Sequence, residues 1–217
     1  MAPVPPLWRN REEAGGALAL RFQAWDHPKA RTLLLALPRG GVPVAAAMAD
    51  ALDWPLATWS VRKVADPSSP ELAIGAIAAG GVVVWRNGGQ RGGREREDLA
   101  RRHGWLNLEE RELARRRALF GDPEPGALHQ RHLVVVDDGI ATGMTVRAAL
   151  LSLRRCDPAS LTLAVPVVDR EVVGDLQPLL DRLEALAVVA DLRAVGLWYG
   201  DFAQTTDQQV LALLGRS

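Results

Sequence analysis

Short apolar runs alternate along the chain with stretches in which apolar residues recur every three or four positions. The runs at residues 32–37, 56–64, 133–136, 161–168 and 185–190 predict strands. The first helix is predicted from Asn10, with Glu13 completing a capping box, to about Trp25, with Ala14, Leu18 and Phe22 on one face. Pro43 suits the first turn of a helix ending near Leu52, and residues 146–151 open another behind a Gly- and Thr-rich turn. Further helices are predicted over 171–183 and from a Thr206–Gln209 cap to Leu214. Residues 75–85 read as a hairpin turning at Gly80-Gly81. Residues 66–70 are a polar, Pro-rich loop, 87–93 a Gly-rich connection and 122–126 a linker. Residues 94–120 predict two helices broken at Gly104, with a fresh cap at Asn107. Strands alternating with helices make this an α/β fold with a mostly parallel sheet covered by helices.

Composition narrows the picture. At 217 residues there is room for one α/β domain with an appendage, and 48% apolar with 24% charged residues is ordinary for a soluble globular protein. The formal net charge is zero, against the basic field of a general nucleic-acid binder. One cysteine, Cys156, allows no intrachain disulfide and fits a cytoplasmic setting. The four histidines lack zinc-ligand spacing. The N-terminus does not read as a signal peptide, and the longest uncharged stretch, 72–85, is too short to span a membrane, so neither nucleic acid nor membrane is an expected partner. Nine arginines and six acids interleave between Arg91 and Arg117, the pattern of a solvated helical face.

The chemistry concentrates in residues 133–145, Leu-Val-Val-Val-Asp-Asp-Gly-Ile-Ala-Thr-Gly-Met-Thr. A buried parallel strand ends at two adjacent carboxylates, Asp137 and Asp138, at the sheet edge where ligands of such folds sit. The carboxylates suit sugar hydroxyls. The loop from Ile140 to Thr145 offers backbone N–H groups and two hydroxyls at a helix N-terminus, which suits a phosphate. The same residues could instead form a plain strand-to-helix turn capped by Thr142 or Thr145. A dehalogenase-type site needs its two acids one residue apart, and a nucleotide P-loop needs a lysine that is missing here. Arg39-Gly40-Gly41 also lies between a strand and a helix, where it could be an anion-binding turn or an ordinary one. Lys63 is one of only two lysines, with Lys29, in an arginine-rich chain, and follows Arg62 near a strand end.

The 133–145 motif resembles the phosphoribosyl-diphosphate (PRPP) signature of the type I phosphoribosyltransferases. Leu-Pro-Arg-Gly-Gly-Val-Pro-Val-Ala, Val-Arg-Lys, Pro-Glu-Leu-Ala-Ile-Gly-Ala-Ile and the C-terminal Trp198-Tyr199-x-Asp201-Phe202 are similar to a bacterial subgroup of that family. The likeness spans about residues 11–214, with departures in 86–126. It implies a Rossmann-like single domain with a core of about 11–85 and 127–195, a helical insertion of about 87–126 and a C-terminal hood of about 196–214.

The resemblance also implies roles. Asp137, Asp138 and Lys63 would be catalytic; Gly139, Ile140, Ala141, Thr142, Gly143, Met144 and Thr145 would hold the 5-phosphate. Arg39, Gly40, Gly41 and Arg62 would bind diphosphate, with a non-proline cis peptide in that loop. Residues 66–75 would be a closing loop, and Trp198, Tyr199 or Phe202 would stack on the base or pack the core. Mg²⁺ is the expected cofactor, held by PRPP and reaching Asp137 and Asp138 through water, with no direct protein ligands. The expected activity is transfer of phosphoribose from PRPP to a nitrogenous base with release of diphosphate, in a cytoplasmic homodimer. The alternative is a PRPP- or nucleotide-sensing regulator with little turnover; a PRPP synthetase is disfavoured by length. The residue before Thr-Gly is Ala141 rather than the Asp of 6-oxopurine enzymes, which places adenine-like or pyrimidine bases ahead of hypoxanthine and guanine.

Overall fold

The computed structural model describes residues 6–66, 69–86 and 90–215, and the elements below refer to these. A five-stranded sheet forms the centre in the order β2 (Leu56–Thr58), β1 (Thr32–Ala36), β6 (His132–Val136), β7 (Ser160–Asp169), β8 (Arg182–Val189). All four pairings are parallel. The three inner strands are almost wholly buried, which is why they read as continuous apolar runs, whereas β2 and β8 at the edges are only partly covered. Helices α1 (Arg11–Ala19) and α2 (Gly41–Leu52) bring Leu18, Val44, Ala45 and Met48 into one apolar cluster on the sheet. They cross closely: a Cβ on Gly15 would stand 2.3 Å from the Val44 carbonyl oxygen. Helix α5 (Met144–Arg154) contributes Val146, Ala149, Leu150 and Leu153 to a second cluster.

The run at 56–64 is two strands. After β2 the chain leaves the parallel sheet at Trp59-Ser60 and enters an antiparallel one made of β3 (Val61–Asp66), β4 (Ser69–Ala78) and β5 (Val82–Trp85). Most of the expected loop at 66–75 is therefore strand, its register shifting around Ala65; residues 67 and 68 lie outside the described residues. The hairpin between β4 and β5 turns where predicted, with Gly80 and Gly81 at positive φ. The charged stretch forms α3 (Gln90–Arg102) and α4 (Trp105–Phe120). Gly104 at φ 74° precedes α4, and Asn107 lies inside it rather than capping it. The polar face of these helices carries Arg101–Glu97, Arg115–Glu112 and Arg116–Glu112 pairs, while Ala100, Leu106 and Leu113 pack on Val64, Ile77 and Trp85 of the small sheet.

Helix α6 (Arg170–Leu176) stops well short of residue 183, because a 3₁₀ turn containing Pro178 leads straight into β8. Helix α7 (Asp207–Leu213) begins with the predicted Thr206–Gln209 capping box. The N-terminal cap forms only in part: the Asn10 side chain accepts from the Glu13 N–H at 2.9 Å, but the Glu13 carboxylate turns to the N–H of Arg9.

Asp122 is no mere linker residue. Its carboxylate accepts from the Thr58 hydroxyl at 2.7 Å, the Ser60 N–H at 2.7 Å and the Ser60 hydroxyl at 3.1 Å. With a side chain only 1% exposed, it ties the end of α4 to the point where the chain passes between sheets. Burial pushes its pKa up, opposed by these hydrogen bonds and by Arg117. Asp122→Ala leaves buried donors at Thr58 and Ser60 unpaired and should cost about 3 kcal/mol. Urea unfolding checks this, and a loss below about 1 kcal/mol would remove Asp122 as the tie.

Candidate active site

At the C-terminal edge of the parallel sheet lies a cavity of about 440 Å³. Its walls include Arg39 and Gly40, Lys63, the stretch from Asp137 to Gly143, Thr145, and Phe202, Gln204 and Thr205. Four separate segments thus bring the sequence-predicted residues to one place. A neighbouring cavity of about 470 Å³, lined from α1, α2 and α7, shares Arg11, Gln204 and Thr205 but none of the signature residues.

The acid strand and its loop are held from behind. The Ile140 N–H donates to the Val167 carbonyl and the Asp169 N–H to the Ile140 carbonyl, both at 2.9 Å, so Ile140 anchors the loop to β7. Its N–H is spent and its side chain is buried in the core, as is that of Met144. From Ala141 to Val146 the backbone N–H groups find no acceptor among the described residues, which leaves a run of donors at the start of α5. Gly143 turns this loop at φ 70°, and a Cβ there would meet Val172 at 2.4 Å.

The Arg39-Gly40-Gly41 turn packs directly on the acids. A Cβ on Gly40 would lie 2.1 Å from Asp138 Oδ2, and one on Gly41 2.5 Å from the Val136 carbonyl oxygen. Both glycines are required by close approach of two protein segments, a reason the sequence does not display. The peptide bond between Pro38 and Arg39 is cis. The Arg39 and Gly40 N–H groups have no acceptor among the described residues, whereas the Gly41 N–H donates to the Leu37 carbonyl at 3.1 Å. The Arg39 guanidinium lies 3.4 Å from Asp207 at the start of α7, and Asp207 also meets Arg115 at 3.5 Å.

Strand alternation decides between the two cations of β3. Val61 and Lys63 face the cavity; Arg62 and Val64 face the helices on the other side, where Arg62 forms an ion pair with Glu109 at 2.9 Å. Arg62, expected at the diphosphate, is thus turned away from the cavity, whereas Lys63 lines it, exposed and with no ion-pair partner among the described residues.

The C-terminal aromatics divide in the same way. Tyr199 is buried between Trp8 and Phe202, and its hydroxyl donates to the Asp138 carbonyl at 2.6 Å, so it braces the acid turn and offers no stacking face. Trp198 packs in the same cluster, its carbonyl accepting the N–H groups of Leu7 and Trp8, and it does not line the cavity. Phe202 does line it.

Arg11 is the site residue that sequence reasoning missed. Its Nε donates to Asp138 Oδ2 at 2.8 Å, its Nη1 to the Ala203 carbonyl at 2.9 Å, and its guanidinium lies 3.7 Å from the centre of the Phe202 ring. A sequence signal existed: an arginine opening a helix stands against the helix dipole, and local rules tend to be broken at functional sites. Arg11 reaches the site because residues 7–9 are laced to 198–201, with the Gly200 N–H donating to the Trp8 carbonyl at 2.8 Å and the Asp201 N–H to the Arg9 carbonyl at 2.6 Å.

Burial and the neighbouring Asp138 carboxylate push Asp137 well above the usual carboxylate range, against the hydrogen bond that it accepts from the Asp138 N–H. Asp138 is also raised by burial, with Arg11 pulling the other way.

This site falls within a known family. A family model for the phosphoribosyl transferase domain matches residues 12–176. The chain belongs to that family. Two curated relatives, from Mycobacterium tuberculosis strains CDC 1551 and H37Rv, are each 39% identical over 214 residues and are provisionally named as phosphoribosyl transferases. The match takes in 97% of this chain and 47% of each relative, so the chain spans about half the length of the curated relatives it matches. A crystal structure from Thermus thermophilus is 34% identical with a TM-score of 0.73, covering 95% of this chain and 97% of that one. A Neisseria gonorrhoeae protein crystallised with bound ppGpp shares the fold at 13% identity and a TM-score of 0.50, over 86% of this chain and 85% of its own. No helix among the described residues is long and apolar enough to cross a membrane.

The raised Asp137 pKa carries a stability consequence. The folded chain holds this proton more tightly than the unfolded chain, so stability falls as pH rises from the unfolded value near 4 through the raised folded value. Asp137→Asn cannot ionise and should match the wild type below about pH 4 while exceeding it in stability at pH 8. Melting curves across this range test the point, and equal stability at both pH values would contradict it.

Proposed function

We propose that this protein transfers the 5-phosphoribosyl group of PRPP to a ring nitrogen of a base, releasing diphosphate. The observation that carries the reading is the convergence on one cavity of an acid pair, a run of amides unpaired among the described residues and two cations from separate segments. Ribose hydroxyls would bind Asp137 and the free oxygen of Asp138. The 5-phosphate would take the N–H groups of residues 141–146 with the Thr142 and Thr145 hydroxyls, a remote handle that positions C1. Arg39, its N–H and that of Gly40, and Lys63 would hold the leaving diphosphate. In the reaction the C1–oxygen bond to diphosphate breaks, its electron pair leaving with diphosphate, and a nitrogen lone pair of the base forms the new bond to C1. The carboxylates favour positive charge developing on the ribose, and no covalent nucleophile is needed.

Among the described residues, no three His, Cys, Asp or Glu side chains converge as a metal site. Asp137, whose carboxylate has no cation within bonding distance among the described residues, fits a Mg²⁺ ion held mainly by substrate oxygens and water. Asp137 and Asp138 would hold its bound waters, and the ion would neutralise diphosphate charge. Homodimer assembly and a cytoplasmic setting belong to the same proposal. The sensing alternative predicts PRPP binding without turnover.

Two tests follow. Replacing Thr142 and Thr145 together by Ala should weaken PRPP binding by roughly 1.5–3 kcal/mol for each hydrogen bond lost to a charged group; unchanged calorimetric affinity would refute the phosphate loop. For the acceptor, Ala141 offers a 6-oxopurine imidazole nitrogen no partner, and an unpaired buried group costs about 1–3 kcal/mol. Steady-state diphosphate release on adenine, cytosine, uracil, hypoxanthine and guanine should place the last two behind, whereas a clear lead for either would show that Ala141 does not set the preference.

A further inference from the structure

We infer that Arg11 reads the acceptor, and that the acceptor is a nitrogen heterocycle carrying a carboxylate. The inference rests on the transferase reading and refines its substrate class. The aromatic series Trp8–Tyr199–Phe202, with centroid spacings of 5.6 and 5.1 Å, ends at the cavity, and the Arg11 guanidinium covers its last ring. One face of the Phe202 ring is thus covered by a planar cation, and whatever enters on that side meets Arg11.

The guanidinium is fixed and only partly used. Of its five N–H groups, one donates to Asp138 and one to the Ala203 carbonyl; the other three have no acceptor among the described residues. The side chain is only 11% exposed, and what remains open faces space on both sides, because the site cavity and its neighbour meet at Arg11. A guanidinium held on an aromatic face with unspent donors matches a carboxylate bidentately and loses little side-chain freedom on binding. The other anions of the reaction already have partners, the 5-phosphate at 141–146 and the diphosphate at Arg39 and Lys63. Arg11 lines the cavity with Phe202, Gln204 and Thr205, beside Asp138 and the Gly40 turn. Arg11 also holds Asp138 Oδ2 against Gly40, which leaves Oδ1 for the ribose.

Product-side binding tests this without requiring turnover. Calorimetry with the whole chain would compare orotidine with uridine 5′-monophosphate, and nicotinate with nicotinamide mononucleotide, with PRPP titrated in parallel. In at least one pair the carboxylated member should bind the wild type at least ten-fold more tightly. Arg11→Gln should bring that ratio close to one, and Arg11→Lys, which keeps charge but loses the fork, should fall between. A wild-type ratio of one or less in both pairs overturns the inference, and this needs no variant to fold. So does a ratio unchanged in Arg11→Gln, or an equal loss for both members, which would make Arg11 only a prop for Asp138. PRPP binding with no nucleotide binding would also sink the inference while leaving the transferase reading in place, whereas loss of PRPP binding itself would remove that reading.

Discussion

The site depends on one close approach, that of the Gly40-Gly41 turn to the end of β6. Strands β1 and β6 are parallel neighbours, so the turns that follow them emerge side by side, and the absence of two side chains lets them touch. A Cβ at Gly40 would displace the Asp138 carboxylate, and one at Gly41 would strike the β6 backbone. Through this contact the proposed diphosphate loop and the proposed ribose acids become a single structure. Ile140, bonded back to β7, fixes the phosphate loop to the same frame.

Around that contact the protein accepts an unfavourable charge arrangement. Two adjacent carboxylates are placed where burial raises both, and among the described residues only one of them has a guanidinium partner. Such a pair is a poor choice for stability, and the apolar inner strands on which it is mounted offset the cost. The remaining cations of the cavity are arranged differently: Arg39 leans on Asp207 while Lys63 has no ion-pair partner among the described residues. The cavity thus brings cations together with a pair of groups suited to hydroxyls, the combination that a sugar bearing a departing anion requires.

Local features were legible in the sequence and long-range ones were not. Residues 133–145 could be read because strand, acids, turn and helix follow one another directly, and the inner strands because burial on both faces leaves continuous apolar runs. The break at Trp59-Ser60 was hidden, since its tie is Asp122, more than fifty residues further on. Arg11 was hidden for the same reason, as its partner Asp138 lies 127 positions away. Arg62 is a different case: alternation along β3 separates it from Lys63, and only the adjacency of the two in the sequence suggested a shared role. Tyr199 and Phe202 show the limit of aromatic content as a signal, since one braces the acid turn and the other lines the cavity.

The central claim is that the Arg39-Gly40 turn, Lys63 and the 137–145 stretch form one binding site for one ligand. Calorimetric titration of the protein with PRPP in the presence of Mg²⁺, repeated with ribose 5-phosphate or diphosphate already bound, tests it most directly. The account predicts one PRPP site per chain, with each fragment competing for it. PRPP affinity unaffected by saturating amounts of either fragment, or no binding of PRPP at all, would contradict it.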